Sequence, residues 1–155
     1  LWQRQPDREK YAVPDSDNSF KGGSWTLLFI CWLIAAASTL GSLFFSEIMQ
    51  FPPCVLCWYQ RIFLFPLVFI FATGLFGGDN SAARFALPIA GAGWLVALYH
   101  NLLYAGIIPA SLQPCSRGVS CTEEYIAWFG FITIPLLSLL AFTAILALLL
   151  IIKLR

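Results

Sequence analysis

Four stretches of the chain stay apolar for about twenty residues or more, and short polar or turn-forming segments separate them. They cover about residues 25–45, 54–76, 84–106 and 125–152. At about 1.5 Å of rise per residue, each is long enough to cross a bilayer as an α-helix. The pattern predicts an all-α protein, an integral membrane four-helix bundle. Residues 1–24 form a polar segment in front of it, and residues 153–155 close the chain. The front segment is read as a cytoplasmic tail, not a signal peptide. The apolar stretch behind it is too long for one and offers no convincing cleavage site. The run Gly77 to Ala83 has the composition of a tight turn. Pro66 predicts a kink in the second span, and Pro88, Gly91 and Gly93 a bend and close packing in the third. Cys31, inside the first span, reads as a small packing residue.

Composition supports this picture and narrows it. Of 155 residues, 59% are hydrophobic and only 11% charged, more apolar surface than a soluble domain of this size can hide. A net charge of +1 gives no case for nucleic acid. A single histidine, a single methionine and scattered acids give no metal cluster by themselves. The basic residues are unevenly shared. Arg4, Arg8, Lys10, Lys21, Arg84, Lys153 and Arg155 fall on one side of a four-span topology, and Arg61 and Arg117 on the other. The positive-inside rule then puts both termini in the cytoplasm.

Candidate chemistry sits at the entrance of the second span, where residues 51–61 read FPPCVLCWYQR. Two prolines cannot lie inside a helix but suit its start, so a helix beginning near Pro53 or Cys54 is expected. Cys54 and Cys57 then fall in or near its first turn, where unpaired N–H groups and the helix dipole favour thiolate. Arg61 lies one turn beyond Cys57 on the same face. A cation at the edge of hydrocarbon asks for an anion nearby, which a Cys57 thiolate or a reduced anionic cofactor would supply. A second pair, Cys115 and Cys121, lies in the loop between spans three and four. Both pairs face outward in this topology, where disulfides persist. Exposed loop thiols can meet a soluble protein and membrane-edge thiols a lipid-soluble acceptor, so the two pairs read as a relay between phases. Stapling disulfides and a zinc site built from both pairs are the alternatives left open by spacing alone.

The run Pro53 to Arg61, with a second cysteine pair between spans three and four, resembles the DsbB family of bacterial disulfide-forming membrane proteins. The likeness in order and spacing covers about residues 25–152. It implies a bundle in the bacterial cytoplasmic (inner) membrane, with the cysteine loops on the extracytoplasmic side. The implied activity re-oxidises a thioredoxin-like (DsbA-like) dithiol partner and passes electrons to membrane quinone, ubiquinone or menaquinone. On the same resemblance Cys54 and Cys57 are the quinone-proximal pair, and Cys57 is the thiolate meeting the quinone ring. Cys115 and Cys121 are the outer pair, with Cys115 the sulfur that joins the partner. Arg61 and His100 are the quinone-binding residues. Only five residues separate Cys115 from Cys121, which resembles the short-loop branch of the family.

Two rivals remain on sequence grounds. Vitamin K epoxide reductase-like chemistry also pairs loop cysteines with a membrane Cys-x-x-Cys and quinone. There the loop pair comes first in the chain; here it comes second. A structural membrane subunit of a larger complex would use the cysteines only as staples. His100 could equally be a histidine hydrogen-bonded in place near the interface, and Arg61 could snorkel to the headgroups.

Overall fold

The computed structural model describes residues 23–78, 81–112, 121 and 133–154. Among these, all regular structure is helical. The long helices are α1 (Gly23–Leu43), α2 (Val55–Gly77), α3 (Ser81–Tyr104) and α4 (Ile134–Leu154). A π-helical turn, Phe44–Ile48, extends α1, and a short 3₁₀ turn covers Ala110–Leu112. Each long helix is apolar and long enough to cross a membrane, the first as Gly23–Ile48. The expected start of the last span, Tyr125, lies outside the described residues, as do the tail and Cys115. Pro135 stands in the first turn of α4, where a missing N–H removes no helical bond.

The helices pack in a closed ring: α1 on α2, α2 on α3, α3 on α4, and α4 back on α1. Buried positions of α3 fall at Ala83, Ala86, Ala90, Gly93, Ala97, His100 and Leu103. Successive members are three or four residues apart, which lines one helix face. Small residues on that face let neighbouring backbones approach, the usual basis of helix association in lipid. The approach is tightest at Gly93. A Cβ there would lie 2.6 Å from Cζ of Phe142 on α4. Around this crossing Cys31, Ala35, Leu67, Phe71, Phe142, Ile145 and Leu149 form the core. The outward faces carry large apolar side chains, among them Leu40, Phe69, Phe76, Phe85, Leu95 and Leu154. That surface matches hydrocarbon, not water.

Polar bonds fix the α3–α4 seam. Trp94 Nε1 donates to Thr143 Oγ1 at 2.9 Å. Asn101 Nδ2 donates to the carbonyl oxygens of Ala97 and Pro135, both at 2.8 Å. At the end of α3 the chain turns sharply. Ile107 N–H bonds Leu102 C=O and Gly106 N–H bonds Leu103 C=O, the two crossed bonds of a Schellman motif. Gly106 takes φ +74° there, a left-handed conformation that glycine adopts without steric penalty. Tyr99 Oη donates to Leu112 C=O, tying the following turn back to α3.

Candidate redox site

The entrance of α2 follows from its prolines. Cys54 is extended (φ −69°, ψ 167°) and occupies the N-cap position. Its carbonyl accepts the first helical bond, from Trp58 N–H at 3.1 Å. This puts Cys54 just outside the helix and Cys57 in its first turn. Their sulfurs are 3.1 Å apart and both are free thiols. Closure to a disulfide requires a shift of only about 1 Å.

The face of α2 that carries Leu56, Gln60, Leu64, Leu67, Phe71 and Gly74 turns inward. It meets the buried stripe of α3, and this juxtaposition brings His100 onto the thiols. His100 is 1% exposed. Its Nε2 lies 3.9 Å from Cys54 Sγ and 3.2 Å from the carbonyl oxygen of Cys121. Its Nδ1 lies 3.2 Å from Gln60 Nε2. With the Gln60 amide donating to Nδ1, the ring proton sits on Nε2, aimed between the Cys121 carbonyl and the Cys54 sulfur. Cys54 and Cys121 share one small apolar cluster with Leu56 and Leu103, and Cys121 is disulfide-bonded. The sequence predicted no metal cluster because it holds one histidine. The fold brings that histidine to the dithiol, and the three donor atoms lie within 4.8 Å of one another.

Arg61 is buried and has a partner on α1. Its guanidinium donates to the carbonyl of Ser42 on α1, and it stands 5.5 Å from the ring centre of Trp58. Ser42 lies beside the joint where α1 passes into its π turn. Bond stepping changes at such a joint and backbone carbonyls become accessible. Arg61 therefore satisfies its charge with a carbonyl dipole and an aromatic face, and it still borders the cavity described next.

A cavity of about 430 Å³ joins these groups, within the size range of small-molecule sites. Cys54, Cys57, Gln60, Arg61, His100 and Cys121 line it together. The apolar wall comes from Ala37, Gly41 and Phe45 of the first span, Leu64 of α2, and Leu137, Ala141 and Phe142 of α4. Gln60 was missed by motif reasoning. Its signal was a polar residue on the inward stripe, one turn from both Leu56 and Leu64.

The surroundings favour the thiolate of Cys54. The hydrogen bond from Cys57 pulls its pKa below the ordinary thiol value, against burial, and His100 adds to the effect. A lowered pKa leaves thiolate present as pH falls. Iodoacetamide alkylation of the reduced protein should therefore persist at Cys54 to pH values below those of an ordinary thiol. His100→Ala should move the midpoint up, read by mass spectrometry of quenched samples. An unchanged midpoint in that variant would remove His100 from the account.

Fold and site define a class: a four-span membrane protein with a dithiol at the head of its second helix and a disulfide-bonded loop cysteine beside it. The family model of the disulfide bond formation protein DsbB matches residues 24–152. A probable disulfide formation protein of Metapseudomonas resinovorans is 46% identical over 135 residues, covering 86% of this chain and 94% of the relative. Disulfide bond formation protein C of Bacillus subtilis is 46% identical over 118 residues, 76% of this chain and 86% of the relative. A probable disulfide formation protein of Deinococcus radiodurans is 42% identical over 133 residues, 80% and 86% of the two chains. No solved structure matches the chain. The chain belongs to the DsbB family, and is a multi-pass membrane oxidoreductase of disulfide bond formation.

Proposed function

We propose that this chain re-oxidises an extracytoplasmic thioredoxin-like dithiol protein and delivers the electrons to ubiquinone or menaquinone in the bacterial cytoplasmic membrane. The observation that carries the reading is the shared cavity, which Cys54, Cys57 and Cys121 line together within one bundle of membrane spans. The positive-inside asymmetry supports an outward-facing site.

A quinone head is a flat, mostly apolar ring with two carbonyl acceptors. The cavity offers apolar walls, with the Arg61 guanidinium and the His100 imidazole as donors. When bound, the quinone would supply a lipid-soluble acceptor for two electrons and two protons.

The residues of the chain do the rest. A partner thiolate attacks the outer disulfide at Cys115, breaking its bond to Cys121 and forming a mixed disulfide. The partner's second thiol then resolves it, leaving the partner oxidised and Cys115 and Cys121 reduced. Exchange between the outer dithiol and the Cys54–Cys57 disulfide restores the outer bond and leaves the inner pair as thiols. Re-forming the inner disulfide gives up two electrons and whatever protons the two sulfurs still hold. His100 Nε2 beside Cys54 can hold or pass one of these protons. Arg61 balances negative charge in the cavity.

The test is reduction of a ubiquinone or menaquinone analogue by the purified chain in detergent, fed with a reduced thioredoxin-like oxidase. The expected result is steady turnover with one quinone reduced per partner disulfide formed. Failure with every quinone and partner, with the thiols locked as inert disulfides, would favour the structural-subunit reading.

A further inference from the structure

We propose that the dithiol form of Cys54 and Cys57, together with His100, is a redox-gated binding site for Zn²⁺. The sulfurs and the imidazole are contributed by two helices and lie within 4.8 Å of one another. Two thiolates and one imidazole are the protein donor set of open tetrahedral zinc sites, which keep a fourth position for water or another ligand. Here all three donor residues line the cavity, from which a fourth ligand can come.

The geometry is close to what the ion needs. Bonds of about 2.3 Å to sulfur and about 2.0 Å to nitrogen place tetrahedral sulfurs about 3.8 Å apart and sulfur and nitrogen about 3.5 Å apart. Cys54 and Cys57 sulfurs are 3.1 Å apart, and Cys54 Sγ is 3.9 Å from His100 Nε2. The widest of the three separations is at most 4.8 Å, so side-chain rotations that move the donor atoms by about 1 Å reach the required spacing. Two thiolates cancel the charge of the ion, so the complex is neutral where burial penalises charge.

Gln60 makes the histidine adaptable. Without metal, its amide NH₂ can donate to Nδ1 while Nε2–H donates to the Cys121 carbonyl. For ligation the ring proton moves to Nδ1 and a flip of the Gln60 amide presents its oxygen as acceptor. An acceptor behind a ligating histidine is the usual support of such sites. On binding, each thiol still protonated releases its proton to solvent. When the pair is a disulfide, neither sulfur carries a thiolate, and the donor set is gone. Bound Zn²⁺ would in turn hold the pair reduced and halt its re-oxidation.

The test measures Zn²⁺ stoichiometry by equilibrium dialysis of the full chain in detergent, fully reduced and fully oxidised, with Co²⁺ as spectroscopic probe. This readout is independent of the electron acceptor, so its failure and failure of the quinone reading are separable. The reduced chain should take up one equivalent and show sulfur-to-cobalt charge-transfer bands; the oxidised chain should take up none. Cys57→Ser should lose the equivalent, and Cys115→Ser/Cys121→Ser should keep it. Gln60→Leu should weaken binding roughly ten- to hundredfold, with Gln60→Glu restoring it. Equal uptake by the oxidised chain, loss in the outer-pair variant, or cobalt bands without thiolate character would each overturn the proposal. Retention in Cys57→Ser would do the same.

Discussion

Cys57→Ser should bring quinone-linked turnover down to background, a loss of roughly a thousandfold or more. Serine keeps the size of the side chain but cannot form the sulfur–sulfur bond through which the inner pair stores and releases two electrons. Cys54 would then have no partner thiol among the described residues. Cys31, the other free cysteine, is fully buried in the core cluster. It lies about 16 Å along α1 from Ser42, the residue of that helix bonded by Arg61. The same variant should still let a reduced partner attack the outer disulfide. It should therefore oxidise at most about one equivalent of partner in a single burst and then stop. Rapid-quench thiol trapping separates the two phases. Sustained turnover in Cys57→Ser would remove this residue from the relay altogether.

Gly93→Leu should destabilise the bundle severely. The missing Cβ already marks contact with Phe142, whose Cζ would be 2.6 Å away. Phe142 is 1% exposed and packed in the core, so the ring has little room to retreat. Overpacking of this kind costs about 1–3 kcal/mol, and a leucine at a helix crossing belongs at or above the upper end. Because Phe142 also lines the cavity, the strain reaches the redox site: either the ring enters the cavity or α4 moves off α3. Thermal unfolding in detergent should show Gly93→Ala moderately destabilised and Gly93→Leu severely so. Phe142→Leu should recover part of the stability of Gly93→Ala. Wild-type melting of Gly93→Leu would show that α3 and α4 do not approach as closely as described.

Some of this protein was legible residue by residue. Long apolar runs can be satisfied in lipid only when the backbone bonds itself, so the four helices follow from hydropathy and length. Pro52 and Pro53 bar helix on their own side and release it just beyond, which is why α2 begins at Val55 behind Cys54. The Cys-x-x-Cys spacing then sets two thiols one turn apart. These are local consequences of covalent geometry and solvation, and a sequence states them directly.

Other features belong to the packing of helices far apart in the chain. The neighbour of His100 depends on how the inward stripes of α2 and α3 meet, and the buried stripe of α3 is made largely of small residues, among them Ala86, Ala90 and Ala97. Gln60 gained its role only when the same meeting set it against the imidazole. That Arg61 would also donate to the carbonyl of Ser42 on another helix could not be foreseen. Sequence by itself determined the four apolar helices and the entrance of the second one, since each rests on interactions within a few residues. Tertiary structure alone decided the cavity, the histidine–dithiol cluster and the partner of the buried arginine, since each is made of groups that only helix packing brings within bonding distance.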